Sequence, residues 1–262
     1  MKKKVLFVAA IFTATFGMAQ DLTSKKGETI LPEAGDYAIG FDANPFLNYF
    51  GNMFNSQNNS AFSANFTNGQ AITGKMFTDA NNAYRFGVRV GINTSTDNFF
   101  VQEAGSTDPT DLVEDEVKST SFALNLSFGK EMRRGNTRLQ GFYGAEGMLS
   151  LGSSVTKYEY GNDIEDLQPD TTRPVELNPG TTFGVGARGF VGVEYFIAPK
   201  ISIAAEYGWG LMISTTAEGE NTTESNTAAN GVEENTIDTG SSNAFSLDTD
   251  VSGGSIKVLF HF

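Results

Sequence analysis

From Tyr84 to Asn93 every second residue is large and apolar: Tyr84, Phe86, Val88, Val90 and Ile92 alternate with Arg85, Gly87, Arg89, Gly91 and Asn93. A strand points successive side chains to opposite faces, so this segment has one greasy face and one polar face. The pattern recurs. Phe122, Leu124, Leu126 and Phe128 oppose Ala123, Asn125 and Ser127; Phe183, Val185, Ala187, Val191, Val193 and Tyr195 oppose Gly184, Gly186, Arg188 and Glu194. Ile201, Ile203, Ala205, Tyr207, Trp209, Leu211 and Ile213 oppose Ser202, Glu206, Gly208 and Gly210. Helical spacing fits none of these.

Such segments number about eight, near 36–46, 70–79, 83–95, 117–132, 137–160, 181–198, 200–217 and 243–262. An even number suits closure of an antiparallel sheet. Short connections (78–83, 132–137, 198–200) alternate with long ones (47–69, 96–116, 161–180, 218–242). Turns on one side and loops on the other predict an all-β fold, an eight-stranded antiparallel transmembrane β-barrel over residues 36–262 with both termini on the turn side. The last segment changes phase between Leu247 and Ile256, which predicts a bulge or kink at Gly253-Gly254.

Lys2, Lys3 and Lys4 precede an apolar run from Val5 to Phe16 that closes on Gly17-Met18-Ala19. This reads as a secretory signal peptide over 1–19, too short to span a bilayer, followed by a periplasmic N-terminal segment over 20–35. No Cys follows to carry a lipid. A mean hydropathy of -0.22 is compatible with a barrel, because only alternate residues face hydrocarbon.

The chain ends on Ile256-Lys257-Val258-Leu259-Phe260-His261-Phe262. With Ile256, Val258, Phe260 and Phe262 as its apolar members, this ending resembles the assembly signal of outer-membrane barrels. The mature chain resembles the OmpA/OmpX-like superfamily. The resemblance implies location in the cell outer membrane, outer-membrane lipid as surroundings and the barrel-insertion machinery as a partner. It leaves the role open, since that superfamily holds adhesins, structural proteins and enzymes.

The face opposite the apolar stripe carries Asp42, Arg85, Arg89, Glu146, Arg188, Glu194, Glu206 and Lys257. Eight strands leave an interior only wide enough for side chains, so these charges are expected to pair in a lumenal network that plugs the barrel. A selectivity ring for ions is the alternative. Tyr84, Phe128, Tyr195, Phe196, Phe260 and Phe262 are expected to form an interfacial girdle. Tyr49-Phe50 and Phe99-Phe100 fall in loops, where self-packing or a contact surface would explain them.

Loss of the three leader lysines takes the formal charge from -13 to -16, and the acids concentrate in the last three long loops. Such a surface repels nucleic acid. No EF-hand spacing is present, so solvated loops are expected, with 219–242 mobile and 47–69 partly ordered on the barrel mouth. The only histidine, His261, lies at the turn side, away from any outer-leaflet substrate, and no phosphate loop or Cys–His cluster appears. The expectation is a non-enzymatic barrel without cofactor or metal. Its acidic loops would act on an unknown extracellular partner, in surface interaction or envelope integrity, the alternative being a narrow pore for small solutes.

Overall fold

A computed structural model describes residues 22–24, 26–43, 72–229, 231–249 and 255–262. The expected signal peptide, the first long loop with Tyr49-Phe50 and the glycine pair at 253–254 lie outside the described residues. The fold is all-β and antiparallel, with, among the described residues, a single short 3-10 turn at Ile164–Asp166. Among the described residues no helix is long and apolar enough to cross a membrane.

The strands are β1 (Tyr37–Asp42), β2 (Ile72–Asp79), β3 (Asn82–Gln102), β4 (Leu112–Arg134), β5 (Leu139–Glu159) and β6 (Thr171–Asn178). They continue as β7 (Thr182–Ala198), β8 (Ile201–Thr216), β9 (Gly219–Thr227), β10 (Gly231–Thr239), β11 (Ser242–Thr249) and β12 (Ser255–His261). Twelve strands replace the eight expected. Consecutive pairing joins β1 to β5, β5 skips to β7, β7 joins β8, β8 joins β12, and β12 returns to β1. Eight strands therefore close a ring. The other four build outward from one end of it: β6 leaves the edge of β5, β9 pairs β6, β10 pairs β9, and β11 pairs the far half of β8.

Three expected loops need correction. Residues 96–116 are mostly the extended β3–β4 hairpin, 161–180 hold β6, and 218–242 hold β9 and β10 rather than a mobile loop. Period-two reading missed these strands because their two faces do not differ. β10 is exposed nearly throughout, so neither face selects apolar side chains. Threonines supply the strand preference instead, and Thr222 and Thr236 share a hydroxyl hydrogen bond of 3.0 Å across β9–β10.

The final segment is likewise two strands, both laid against β8. Thr249 stands opposite Trp209 and Ser255 opposite Glu206. Six steps along one strand thus match three along the other. The odd difference exchanges the two faces, which is the phase change the sequence displays.

Turns at the near end are tight. In Pro199-Lys200, proline presets the first turn residue and Lys200 takes a positive φ of 68°. At Asp79 the carboxylate accepts from the Asn81 N–H at 2.7 Å and from the Asn82 amide, which holds it below its ordinary ionisation range. Residues 26–36 pack at this same end, where Ile30 is buried and Phe77 N–H donates to Asp36 O.

Candidate functional site

The ring's interior holds the chemistry. Inward positions of β2, β3, β4, β5, β7, β8 and β12 bring Lys75, Arg85, Glu131, Arg133, Glu146, Arg188, Glu194, Glu206 and Lys257 together, all but Arg188 buried. They form two joined layers.

In the layer near the tight turns, Lys75 Nζ donates to Glu131 Oε1 at 2.9 Å and to Glu194 Oε2 at 3.0 Å. Arg133 Nη1 donates to the same two oxygens, at 2.8 Å each, and its Nε reaches Gln140 Oε1 at 2.9 Å. Ser202 Oγ donates to Glu194 Oε1 at 2.5 Å, and His261 Nε2 lies 2.9 Å from that hydroxyl and 3.2 Å from the carboxylate. In the second layer, Arg85 Nη1 donates to Glu206 Oε2 at 2.7 Å, while Arg188 Nη1 bridges Glu146 Oε1 at 2.9 Å and Glu206 Oε1 at 2.8 Å. Lys257 Nζ stands 4.0 Å from Glu206. Arg85 ties the layers, 3.5 Å from Glu131 and 3.3 Å from Glu146.

Five cations share four glutamates, and each glutamate serves at least two cations. Glu131 serves Lys75, Arg85 and Arg133; Glu194 serves Lys75, Arg133 and, when protonated, His261; Glu206 serves Arg85, Arg188 and Lys257. Aromatic rings complete the packing where carboxylates stop: Arg85 lies 4.0 Å over Phe190 and Lys75 4.8 Å over Phe142, and the Phe196 ring lies tilted against His261 at 5.1 Å. Gly208 leaves room for the Arg188 guanidinium, since a Cβ there would come within 2.3 Å of Arg188 Nε and displace it from its carboxylates.

Of the residues expected in this network, Arg85, Glu146, Arg188, Glu194, Glu206 and Lys257 are in it. Asp42 and Arg89 sit half-buried toward the far end, Asp42 opposite Lys257 in the ladder, and the ion pairs just described do not include them. Sequence reasoning placed Ser202 on this face without assigning it a partner, and missed Lys75, Glu131, Arg133, Gln140 and His261. Continuing the parity of β4 past Phe128 places Glu131 and Arg133 inward, and the parity of Lys257 places His261 inward. Lys75 had no such signal, since both parities of β2 carry apolar side chains. Phe196 is corrected as well: it is fully buried inside the ring, not part of a girdle, as its parity with Glu194 requires.

Outward positions carry the opposite chemistry. Every ring strand exposes large apolar side chains, among them Ile39, Ile72, Phe86, Phe128, Leu149, Val191, Ile203 and Phe260. Ile256, Val258, Phe260 and Phe262 share this face on and beside β12, and Phe262 stacks on Tyr37 at 6.4 Å.

The outward extension is polar and knitted by side chains. Arg173 pairs Glu224 at 2.5 Å and lies 4.0 Å over Tyr160, whose hydroxyl donates to Pro174 O at 2.7 Å. Asn162 joins the β3–β4 tip, accepting from Ala104 N–H at 2.7 Å, and Asn98 donates to Glu114. Phe99 and Phe100 do not pack into a loop cluster; they project from β3, 53% and 70% exposed. Among the described residues no group of three metal-ligating side chains converges. Compared with known proteins, the chain matches no family model, and no curated protein is significantly similar to it.

Proposed function

We propose that this chain is an outer-membrane β-barrel of the OmpA/OmpX-like kind, acting without catalysis in surface interaction or envelope integrity through its outward extension. The observation that carries the reading is the pairing of two faces around a closed ring: apolar side chains exposed on all eight strands, buried ion pairs within. An exposed apolar belt of this extent is not stable in water, where monomers keep apolar patches to a few hundred Å². In hydrocarbon it is the required surface, and a closed ring leaves no unpaired edge there.

The leader-like pattern of residues 1–19 and the alternating apolar residues up to Phe262 support export and insertion by the barrel-insertion machinery. The lumenal network supports a scaffold over a pore, because conduction would require parting buried ion pairs that several cations share. The acidic extension disfavours nucleic acid as a partner.

Cell fractionation is expected to place the mature protein in the outer membrane, with heat-modifiable mobility on a gel and no steady conductance when refolded into planar bilayers. Recovery as a soluble periplasmic protein would overturn the location, and steady conductance would transfer the assignment to the narrow pore.

A further inference from the structure

At the junction of the ring and the extension the wall changes partner. The β5–β7 ladder ends at Gly152 opposite Thr182, and the β5–β6 ladder begins at Thr156 opposite Leu177. Between them Ser153, Ser154 and Val155 have no strand partner on that side. Alternate residues of a strand aim N–H and C=O to a given side, so at least one backbone donor and acceptor are left facing the break. A crevice of about 860 Å³ opens there, within the range of small-ligand sites.

Its lining is chemically selective. Ser154, Thr156, Thr182, Thr216, Asn221 and Ser242 share one face through the strand ladders and supply hydroxyls and an amide, Leu177 supplies apolar surface on that face, Ser153 and Phe122 point to the other face, and no lining side chain is ionisable. Among the described residues the side chains of Ser154, Asn221 and Ser242 make no hydrogen bond, leaving groups that both donate and accept. The lining offers no cation to an anion and no carboxylate to a metal cation. A neutral polyhydroxylated ligand matches: hydroxyls meet hydroxyls, and its C–H surface meets Leu177, which shares a face with Thr156 and Asn221.

We infer that this crevice is a binding site for a neutral saccharide. The inference deepens the proposed surface interaction and rests on that reading only for the side of the membrane on which the crevice opens.

The test uses the full mature chain refolded in detergent, with saturation-transfer NMR against maltotriose, mannotriose and chitotriose, and sialyllactose as the charged counterpart. At least one neutral trisaccharide is expected to bind saturably, at least tenfold tighter than sialyllactose. Ser154→Ala/Asn221→Ala should weaken it at least fivefold, and Ser154→Tyr should abolish it by filling the crevice. Heat-modifiable mobility, read on each sample, reports the fold separately, so a lost barrel is not mistaken for a lost site. Folded protein that binds none of the three, that binds sialyllactose equally well, or whose variants bind unchanged overturns the inference. Comparing free digalactose with a digalactosyl lipid in nanodiscs assigns the source: tighter binding of the latter means a lipid headgroup, equal binding a free sugar.

Discussion

Strand β5 passes through two regions that obey different rules. From Leu139 to Gly152 it belongs to the ring: Gln140, Phe142 and Glu146 are buried inward while Tyr143, Leu149 and Leu151 are exposed outward. Beyond the break it belongs to the extension, where Lys157 faces Glu176 on an exposed surface at 3.1 Å. The backbone is the same, and only the media differ. In the ring each face meets a different environment, so every residue is constrained and removing a partner strands a buried charge. In the extension both faces are polar and partly or fully exposed, so few positions demand one residue type and the exposed Lys157–Glu176 pair is screened.

The contrast breaks most sharply at the C-terminal strand. Replacing Phe260 and Phe262 with Ser is expected to abolish assembly, seen as loss of heat-modifiable protein from the outer membrane; normal folded levels would separate the apolar ending from insertion. Next comes Glu194→Ala, which leaves Lys75 and Arg133 short of a carboxylate and should cost roughly 3–5 kcal/mol in denaturant unfolding from lipid vesicles. Replacing a cation, as in Lys75→Met, should cost less, because the network has more cations than carboxylates. Equal costs would show that charge balance does not govern the lumen.

A single arginine sharpens the difference between outward faces. Val191→Arg on the ring should cost about 2–4 kcal/mol if the position lies near the bilayer midplane. Ile237→Arg on β10 should stay within about 0.5 kcal/mol. Comparable losses at both sites would remove lipid as the distinguishing medium. Within the extension, Arg173→Ala removes a half-buried pair with Glu224 and the stacking on Tyr160, worth about 1–2 kcal/mol together. Faster amide exchange confined to β6 and β9 is the expected readout.

The smallest effect is at the β3–β4 tip. Asp108 accepts from the Thr110 hydroxyl at 2.7 Å and from its N–H at 2.9 Å, which lowers its pKa below the ordinary 3.8. A lowered folded pKa means the contribution is present above 3.8 and lost as pH falls through the folded value. The Thr110 amide shift should therefore titrate with a midpoint under 3.8, and a midpoint above it would reverse the assignment.

Alternation along β3, β7 and β8 was legible in the residues themselves, and with it which side chains share the ring's interior and which its outer face. The same parity reaches Glu131, Arg133, Phe196 and His261 when carried to the strand ends, because a pleated strand cannot change facing without an extra residue. The phase change before Ile256 announced such an insertion. Asn230-Gly231 between threonine-rich runs is a hairpin signal of the kind that marks β9–β10, and Gly231 does take a positive φ of 76°.

What parity does not hold is distance around the ring. Glu206 meets Arg85 although 121 positions separate them, and Lys75 meets Glu194 across 119. Those partnerships follow from closure of β12 on β1, which sets how far the inward rows are staggered against one another. The same holds for the break in the β5 wall: the local residues permit pairing on either side, and the choice between β6 and β7 is made by strands that arrive later in the chain. Facing is a local property of the pleat, so the sequence by itself determines it. Partnership depends on closure and register, and only the tertiary structure decides it.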